Sequence, residues 1–217
     1  MSLFRLDASI REEGSISRAL ADIAEGVWRA NADDTRVVRR QIGTSPLPSD
    51  AWSLAAAGSV APESDRTAPQ HAALELAGTL VDELADADAY LFAVPLYNFG
   101  VSQHFKTYVD LVTTDARMGP AAEHVTAGKP GVLVTVQGGN YSPGTPREGW
   151  DHATAWMRRI LEDLWHIDLE VVTREFTLVG VNPALAQFAD MAEQIRIDSE
   201  RTAQQHGLSL ASRRTAA

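Results

Sequence analysis

Two nearly uninterrupted runs of apolar residues limit the folds open to this chain more than any other feature. They are residues 89–94 (AYLFAV) and 131–136 (GVLVTV), and turn-forming or polar residues flank each run. A strand with one face in water alternates apolar and polar residues, whereas a strand covered on both faces is apolar throughout. The two runs therefore predict central strands of a parallel sheet that helices cover on both faces.

The rest of the chain supplies the other strands and the helices of such a fold. Weaker strand patterns occur at 3–8, 35–42 and 169–178. Apolar residues at helical spacing occur at 15–30, 67–85, 102–114, 149–165 and 183–205. Because strands and helices alternate along the chain, we predict an α/β fold with an open parallel sheet.

Chain length predicts a single domain. A chain of 217 residues suits one α/β domain with a sizeable core. We expect this domain to span 1–211, with a flexible tail at 212–217. Residues 43–69 are rich in Ser, Pro, Gly and Ala, which predicts a long loop with a turn of helix around Trp52. A loop of that length usually has a function, and here we expect it to help shape a substrate pocket.

Composition and charge exclude several classes of function. The chain has no cysteine, so disulfides, iron–sulfur clusters and thiolate catalysis are excluded. Its six histidines lack metal-motif spacing, so we expect no metal site. A net charge of −10 argues against nucleic acid and anionic lipid as partners, and no apolar run reaches the length of a membrane span. Because we see no signal peptide, we expect a cytoplasmic protein.

Serines surround the predicted start of the first helix. Ser9, Ser15 and Ser17 follow the first strand, and Ser15 suits the N-cap position. The free N–H groups of a helix start favour an anion. Two interpretations stay open here: a site for a phosphate monoester, or a capped helix with incidental serines. The segment contains neither G-x-G-x-x-G nor G-x-x-x-x-G-K-[ST], which argues against a dinucleotide fingerprint and a nucleotide P-loop.

The loops after the two apolar strands have the composition of a ligand site. Residues 94–100 read VPLYNFG, and two aromatic rings and an amide suit a flat heterocycle such as isoalloxazine. Residues 136–141 read VQGGNY, and paired glycines let the backbone approach a ligand. The alternatives are aromatics that fill a gap in the core and, for Tyr141, an ordinary surface ring.

Taken in order, the three loops resemble those of the FMN-dependent NADH azoreductase and NAD(P)H quinone reductase family. LFRLDASIREEGSISRAL is similar to the family's first strand, phosphate loop and first helix. VPLYNFGVSQHFKTYVDLV is similar to its most specific segment, and GVLVTVQGG to its fourth strand and flavin-edge loop. The resemblance covers most of the chain. It implies a flavodoxin-like three-layer sandwich with a five-stranded parallel sheet of order 2-1-3-4-5 and helices on both faces.

The resemblance also implies that FMN is bound and assigns residues to each part of the cofactor. The phosphate would be held by Ser9, Ser15, Ile16 and Ser17, with Ile16 using only its backbone N–H. The loop at the ring and ribityl chain would supply Pro95, Leu96, Tyr97, Asn98 and Phe99. The pyrimidine edge would be covered by Val136, Gln137, Gly138 and Gly139.

Three positions depart from the family's pattern. Ile16 stands where a polar residue such as glutamine is common, Leu96 replaces a methionine, and Val136 replaces a serine. The leucine is nearly isosteric with methionine and should cost little, whereas the other two changes remove side-chain contacts to the cofactor. The differences bear on the substrate rather than on the fold or the cofactor.

The implied activity is that of an oxidoreductase. FMN would take a hydride from NADH or NADPH and pass two electrons to a quinone or an azo compound in a ping-pong reaction. Tyr141 is the one candidate catalytic side chain, through contact with the acceptor. The active site would lie at a homodimer interface, for which Trp52, Trp150 and Trp156 are candidates. The alternative is that these three tryptophans are ordinary core residues.

Three other functions stay open at this point. One is a specialised reductase of a pathway-specific quinone in secondary metabolism. Another is a flavodoxin-type carrier of single electrons, although the chain length and the segment 43–69 argue against it. The third is an α/β fold that binds no flavin.

Overall fold

The computed structural model describes residues 1–119 and 121–213. Their strands are β1 (Ser2–Asp7), β2 (Arg36–Gln41), β3 (Ala89–Tyr97), β4 (Gly100–Val101), β5 (Pro130–Val136) and β6 (Asp168–Arg174). Their α-helices are α1 (Ile16–Asn31), α2 (Ala51–Val60), α3 (Ala68–Ala85), α4 (Gln103–Val112), α5 (Thr154–Arg158) and α6 (Ala189–Ser212).

Five of the strands form a parallel sheet in the order β2-β1-β3-β5-β6. This is the predicted order 2-1-3-4-5, so the fold class is confirmed. The sheet differs from the prediction in one respect, because it has six strands. The additional strand, β4, has two residues and pairs antiparallel with the end of β3.

The side chains of β3 point alternately to two layers of helices, which explains why its sequence is apolar throughout. Tyr90, Phe92 and Val94 belong to the core cluster that α2, α3, α4 and α5 cover. The intervening residues, Leu91 and Ala93 among them, belong to the core cluster that α1 and α6 cover. Successive side chains of a strand point to opposite faces, so a strand between two helical layers has no face left for polar residues.

The segment 43–69 is not the long loop that the sequence predicted. It contains the ten-residue helix α2 and a short 3-10 helix, Glu63–Asp65. Ala51 and Ala55 are buried in the core beneath α2. Alanine is the best helix former, but alanines give only a weak apolar pattern. Because serine and proline also lie on either side of α2, the sequence favoured a loop there.

The boundaries of the C-terminal elements also differ from the prediction. The helix predicted at 149–165 begins only at Thr154 and continues as a π-helix over Arg159–Leu164. It begins late because Asp151 Oδ1 accepts hydrogen bonds from the backbone N–H groups of Ala153 and Thr154, each at 2.9 Å. Strand β6 ends at Arg174, four residues earlier than predicted.

The predicted flexible tail, 212–217, falls largely outside the described residues. Ser212 is the last residue of α6. Arg213 follows it, and its Nη1 lies 2.6 Å from a carboxylate oxygen of Asp168 at the start of β6. Residues 214–217 lie outside the part of the chain that the structure describes.

Helices α1 and α6 pack closely where Gly207 faces α1. A β-carbon at Gly207 would lie 2.5 Å from the Ala24 carbonyl oxygen and 3.0 Å from the Val27 β-carbon. Accommodating it would require the two helices to move apart. Gly26, which lies on α1, is exposed and has open space where a β-carbon would be.

Alanine at these two glycines should change stability in opposite directions. Gly207→Ala should lower the free energy of unfolding by ~1–3 kcal/mol because it overpacks the helix contact. Gly26→Ala should raise it by ~0.5–1 kcal/mol because glycine costs more backbone entropy in a helix. Urea unfolding followed by circular dichroism measures both values. Shifts of the same sign and size would contradict the close packing of α6 on α1.

Candidate functional site

Four segments at the carboxyl edge of the sheet enclose a cavity of about 700 Å³. They follow β1, β3, β5 and β6. The strand order reverses beside β1, since β2 lies on one side of it and β3 on the other. Open α/β sheets bind ligands at such a reversal, and the volume falls within the range of roughly 300–1,000 Å³ found for small-molecule sites.

The segment after β1 places hydroxyl and N–H groups at one end of the cavity. Ser15 is the N-cap of α1, and its Oγ accepts a hydrogen bond from the Arg18 backbone N–H at 3.4 Å. Ser15 Oγ lies 3.3 Å from Ser17 Oγ, and the buried Ser9 lines the cavity. The N–H groups of Ile16 and Ser17, in the first helical turn, have no acceptor earlier in the helix. Together with the helix dipole, these groups favour an anion.

The Arg18 side chain holds this segment in place. Its Nε donates to the Arg11 carbonyl and its Nη2 to the Ser9 carbonyl, each at 3.0 Å. Its Nη1 donates to the side chain of Gln41 at the end of β2. Gly43, just beyond β2, lies so close that a β-carbon there would overlap the Ser9 carbonyl. The shape of the anion site therefore depends on the loops after both β1 and β2.

A buried charge network lies between β1 and α1. Arg5 Nη1 lies 3.0 Å from a Glu25 carboxylate oxygen, and Arg5 Nη2 lies 3.1 Å from Asp7. Burial alone would raise the pKa of Glu25, but hydrogen bonds from Arg29, Arg39 and Arg5 outweigh it, and the pKa lies below its usual value. Burial alone would lower the pKa of Arg5, but attraction to and hydrogen bonds with its carboxylate partners raise it.

The network has to be complete, because leaving one charge buried without its partner costs roughly 3–5 kcal/mol. The sequence patterns predicted no such network. Its signal was the pair of charges, Arg5 and Asp7, that interrupts the first strand pattern. Two charges on one apolar strand, both facing the same side, indicate a partner helix that carries the opposite charges.

The segment after β3 is a tight hairpin rather than the loop predicted over 95–100. Strand β3 continues to Tyr97, which pairs with Gly100 of β4. The two residues between them, Asn98 and Phe99, have φ values of 50° and 66°, as a type I′ turn requires. Such turns usually contain glycine, so Asn-Phe is a weak sequence signal. A positive φ strains a bulky residue such as Phe99, and strain of this kind is concentrated at functional sites.

The segment after β5 pairs with the segment after β6. The backbone N–H groups of Phe176 and Leu178 donate to the carbonyls of Gly139 and Gly138, at 3.1 and 3.2 Å. A β-carbon at Gly138 would lie 2.7 Å from the Leu178 side chain. A side chain at position 138 would therefore displace the Leu178 side chain where the two segments meet, a contact that the sequence did not indicate. Gly139 lies against the ring of Tyr141.

An aromatic wall, formed by Phe99, Tyr141 and Trp150, borders the cavity. The Phe99 ring packs edge-on against Tyr141, with centroids 5.9 Å apart, and against Trp150, with centroids 5.1 Å apart. The backbone N–H of His152 donates to the Phe99 carbonyl at 2.9 Å. This wall therefore joins the hairpin to the segment after β5.

The segment after β6 lines the cavity with apolar side chains, and no part of it was among the predicted site residues. The side chains are those of Phe176, Leu178, Val181, Leu185, Phe188 and Met191. The prediction had extended the last strand to residue 178, which placed the start of this segment inside the sheet. Gly180 and the pair Asn182-Pro183 are turn signals that could have ended the strand earlier.

The cavity brings most of the predicted site residues together. Its lining includes Ser9, Ser15, Ile16, Leu96, Tyr97, Asn98, Phe99, Val136, Gly138, Gly139 and Tyr141. Three predicted residues, Ser17, Pro95 and Gln137, are buried outside this lining. Gln137 donates through Nε2 to Asp151 at 2.8 Å, so its side chain supports the segment that follows β5.

Within 1–119 and 121–213, no three His, Asp or Glu side chains form a group that could hold a metal ion. In the same part of the chain, no helix combines the length and the apolar character needed to cross a membrane.

Known proteins resemble this chain in sequence over nearly its whole length. A family model described as a flavodoxin-like fold matches residues 1–197. An FMN-dependent NADH:quinone oxidoreductase from Parafrankia sp. (strain EAN1pec) is 37% identical over 203 residues, which cover 93% of this chain and 96% of that protein. One of the same name from Frankia alni is 39% identical over 201 residues, or 92% of this chain and 95% of that protein.

Solved structures share the fold of this chain over nearly its whole length. The crystal structure of an azoreductase from Bacillus anthracis str. Sterne has a TM-score of 0.78, 20% sequence identity, and coverage of 96% of this chain and 99% of its own. An FMN-dependent NADH-azoreductase from Bacillus anthracis str. Ames Ancestor, solved with FMN, has a TM-score of 0.78, 14% identity, and coverage of 97% and 99%. At these identities the structures bear on the fold alone. With the sequence relatives, they confirm the resemblance: this chain belongs to the flavodoxin-like family of FMN-dependent NADH:quinone oxidoreductases.

Proposed function

We propose that this protein is an FMN-dependent oxidoreductase that uses NADH to reduce quinones or azo compounds. One observation carries the proposal: a single cavity joins an anion-binding helix start at one end to an aromatic wall and paired glycines at the other. A flavin mononucleotide has this same division into a charged phosphate and a flat, largely apolar ring. The names of the sequence relatives support the proposal.

The residues of the cavity fit FMN. Ser9 and Ser15 supply hydroxyls, and Ile16 supplies a backbone N–H, where a phosphate would bind. Leu96, Tyr97, Asn98 and Phe99 supply the surface for the ring and the ribityl chain, and Val136, Gly138 and Gly139 supply the backbone at its pyrimidine edge. Binding FMN gives the site a carrier that takes a hydride from NADH and delivers two electrons to an acceptor.

The predicted residues outside the lining have supporting roles in this proposal. Ser17 orients the Ser15 hydroxyl through the 3.3 Å contact between their oxygens, and its backbone N–H remains a phosphate donor. Gln137 fixes Asp151, which in turn caps α5. Pro95 lies within β3, paired in register with Val136 of β5, and so positions the hairpin that follows it.

The protein itself binds, orients and excludes water. The apolar segment after β6 and the aromatic wall shield the acceptor from solvent, which strengthens the polar interactions inside the cavity. A single cavity serves both substrates, so we infer a ping-pong order in which the donor leaves before the acceptor enters. Tyr141 lines the cavity with its ring half-buried, and we infer that its hydroxyl donates a hydrogen bond to an acceptor's carbonyl oxygen.

The proposal is tested by adding FMN to the purified protein and then NADH without oxygen. We expect bound flavin whose visible bands bleach in one two-electron step and return when a quinone is added. Tyr141→Phe should bleach at the wild-type rate and reoxidise more slowly. Bound flavin that does not react with NADH would instead indicate a one-electron carrier, and absence of flavin binding would overturn the proposal.

The phosphate site is tested with a pair of matched serine variants. Ser15→Ala should weaken FMN binding at least tenfold, because a hydrogen bond to a charged group contributes ~1.5–3 kcal/mol. Ser102 is also a buried N-cap, of α4, and accepts from the Phe105 N–H at 3.3 Å, but it does not line the cavity. Ser102→Ala should lower stability by ~1 kcal/mol and leave FMN binding unchanged. Fluorescence titration of FMN measures both variants, and equal losses of affinity would contradict the assignment.

We also infer that two copies of the chain assemble across this cavity. Ile10, Leu178, Val181 and Met191 expose large apolar side chains around it, and Trp150 is 46% exposed. Of the other predicted interface residues, Trp52 is 49% exposed on α2, whereas Trp156 packs edge-on against Phe105. Analytical ultracentrifugation should give twice the 23.5 kDa chain mass. A monomer at micromolar concentration would contradict the inference.

A further inference from the structure

The cavity has a charge opposite to that of the whole chain. The protein carries a net charge of −10, yet two arginines, Arg11 and Arg147, line the cavity, and no aspartate or glutamate does. Arg11 belongs to the segment after β1, beside the serines at the helix start. Arg147 belongs to the segment after β5, beside the aromatic wall. The two cations therefore lie on segments separated by the hairpin after β3.

These two arginines are also the cations lining the cavity whose side chains have neither an ion pair nor a backbone carbonyl as a partner within the described residues. Across 1–119 and 121–213, nearly every arginine and lysine side chain forms an ion pair or donates to a backbone carbonyl. The side chains for which neither is found are those of Arg11, Arg36 and Arg147. Arg36 lies on β2, away from the cavity.

Neighbouring carboxylates form no ion pair with Arg147, and each one hydrogen-bonds to another group. Glu148 accepts a hydrogen bond from the Gly144 N–H at 2.8 Å. Glu175 accepts from the Ser142 hydroxyl at 2.8 Å. Asp151 accepts from Gln137 and from the N-terminus of α5. The guanidinium group is thus left available to a ligand.

Stacking on the aromatic wall orients the Arg147 guanidinium. Its Cζ lies 5.5 Å from the centroid of the Trp150 ring, a cation–π distance. Trp150 in turn packs against Phe99, which lines the cavity. The cation therefore lies beside a ring that packs against the surface on which a flat aromatic substrate would stack. A stacked arginine keeps its in-plane N–H groups free, and these match the two oxygens of a carboxylate or a sulfonate.

We propose that Arg147 makes this enzyme select acceptors with a carboxylate or sulfonate attached to the reducible aromatic system. The inference rests on the proposed function and names its substrate class. An acid group attached directly to the ring fits the short distance between the guanidinium and the aromatic wall. The pyrophosphate of NADH fits less well, since a ribose separates it from the nicotinamide ring.

The test compares matched acceptors that differ by one acid group. They are naphthoquinone with its sulfonate, and dimethylaminoazobenzene with its ortho-carboxylate. For each variant, the ratio of kcat/KM for the anionic acceptor to kcat/KM for the neutral one is measured. Comparing this ratio between variants cancels the intrinsic difference in reduction potential between the two acceptors.

Arg147→Gln should lower the ratio on the order of tenfold, because the two charge-assisted hydrogen bonds of the guanidinium fork are lost, each weakened by solvent at an exposed side chain. The loss should appear in KM for the anionic acceptor, and kcat/KM for the neutral acceptor should stay the same. Arg147→Lys, which keeps the charge but not the planar fork, should lose part of the preference. Arg36→Gln, the matched control, should retain the wild-type ratio. An unchanged ratio in Arg147→Gln would overturn the proposal.

Two further readouts separate this proposal from failure of the proposed function. Anaerobic reduction of the bound flavin by NADH should be unaffected by Arg147→Gln. If the ratio is unchanged while NADH binding weakens, the cation serves the donor and the proposal is wrong. Calorimetric titration with naphthalene sulfonate, which is not reduced, should show binding to the FMN-loaded wild type and at least fivefold weaker binding to Arg147→Gln. If the wild type binds no flavin, the proposed function itself is overturned, whatever the role of Arg147.

Discussion

Burial of β3 on both faces is the constraint on which the rest of this structure depends. Its side chains alternate between two helical layers, with Tyr90 and Phe92 on one side and Leu91 and Ala93 on the other. A strand buried in this way has to lie in the interior of the sheet, with β1 and β5 beside it. Its carboxyl end therefore lies at the middle of the sheet edge, where the flanking segments converge on the hairpin that follows it.

The polar groups of the site are ones that the fold already leaves available for a ligand. The anion end consists of a helix start, whose N–H groups have no partner within the helix, and of serines, one of which, Ser15, also caps that helix. Arg18 and Gly43 hold the surrounding loops together, and the charge network of Arg5 and Glu25 connects β1 to α1. Rigid elements thus position the anion end, whereas the aromatic wall is formed by the two-residue turn after β3 and by the irregular segment after β5.

The predictions from sequence succeeded where the local residue pattern matched the position of the segment in the fold. The two apolar runs led to β3 and β5, and the serine segment led to the N-cap of α1. They failed where small or polar residues hid the pattern. Alanine-rich α2 was interpreted as a loop, and the Asn-Phe turn lacked the glycine that marks most hairpins of this type. The segment after β6 was missed because the strand before it was predicted to be too long, and so the apolar closure of the cavity was missed as well.

The sequence by itself determined the order of elements, the parallel sheet, the family, and most of the residues that meet at the cavity, because apolar periodicity and short motifs are local properties of the chain. Only the tertiary structure decided which residues face each other across the cavity. Gly138 meets Leu178, Gly43 meets Ser9, and Arg147 lies beside Trp150 without a carboxylate partner. The two glycine contacts join residues far apart in sequence. The unpaired state of Arg147 depends on the other hydrogen bonds that the nearby carboxylates make. Neither can be inferred from the spacing of residues along the chain.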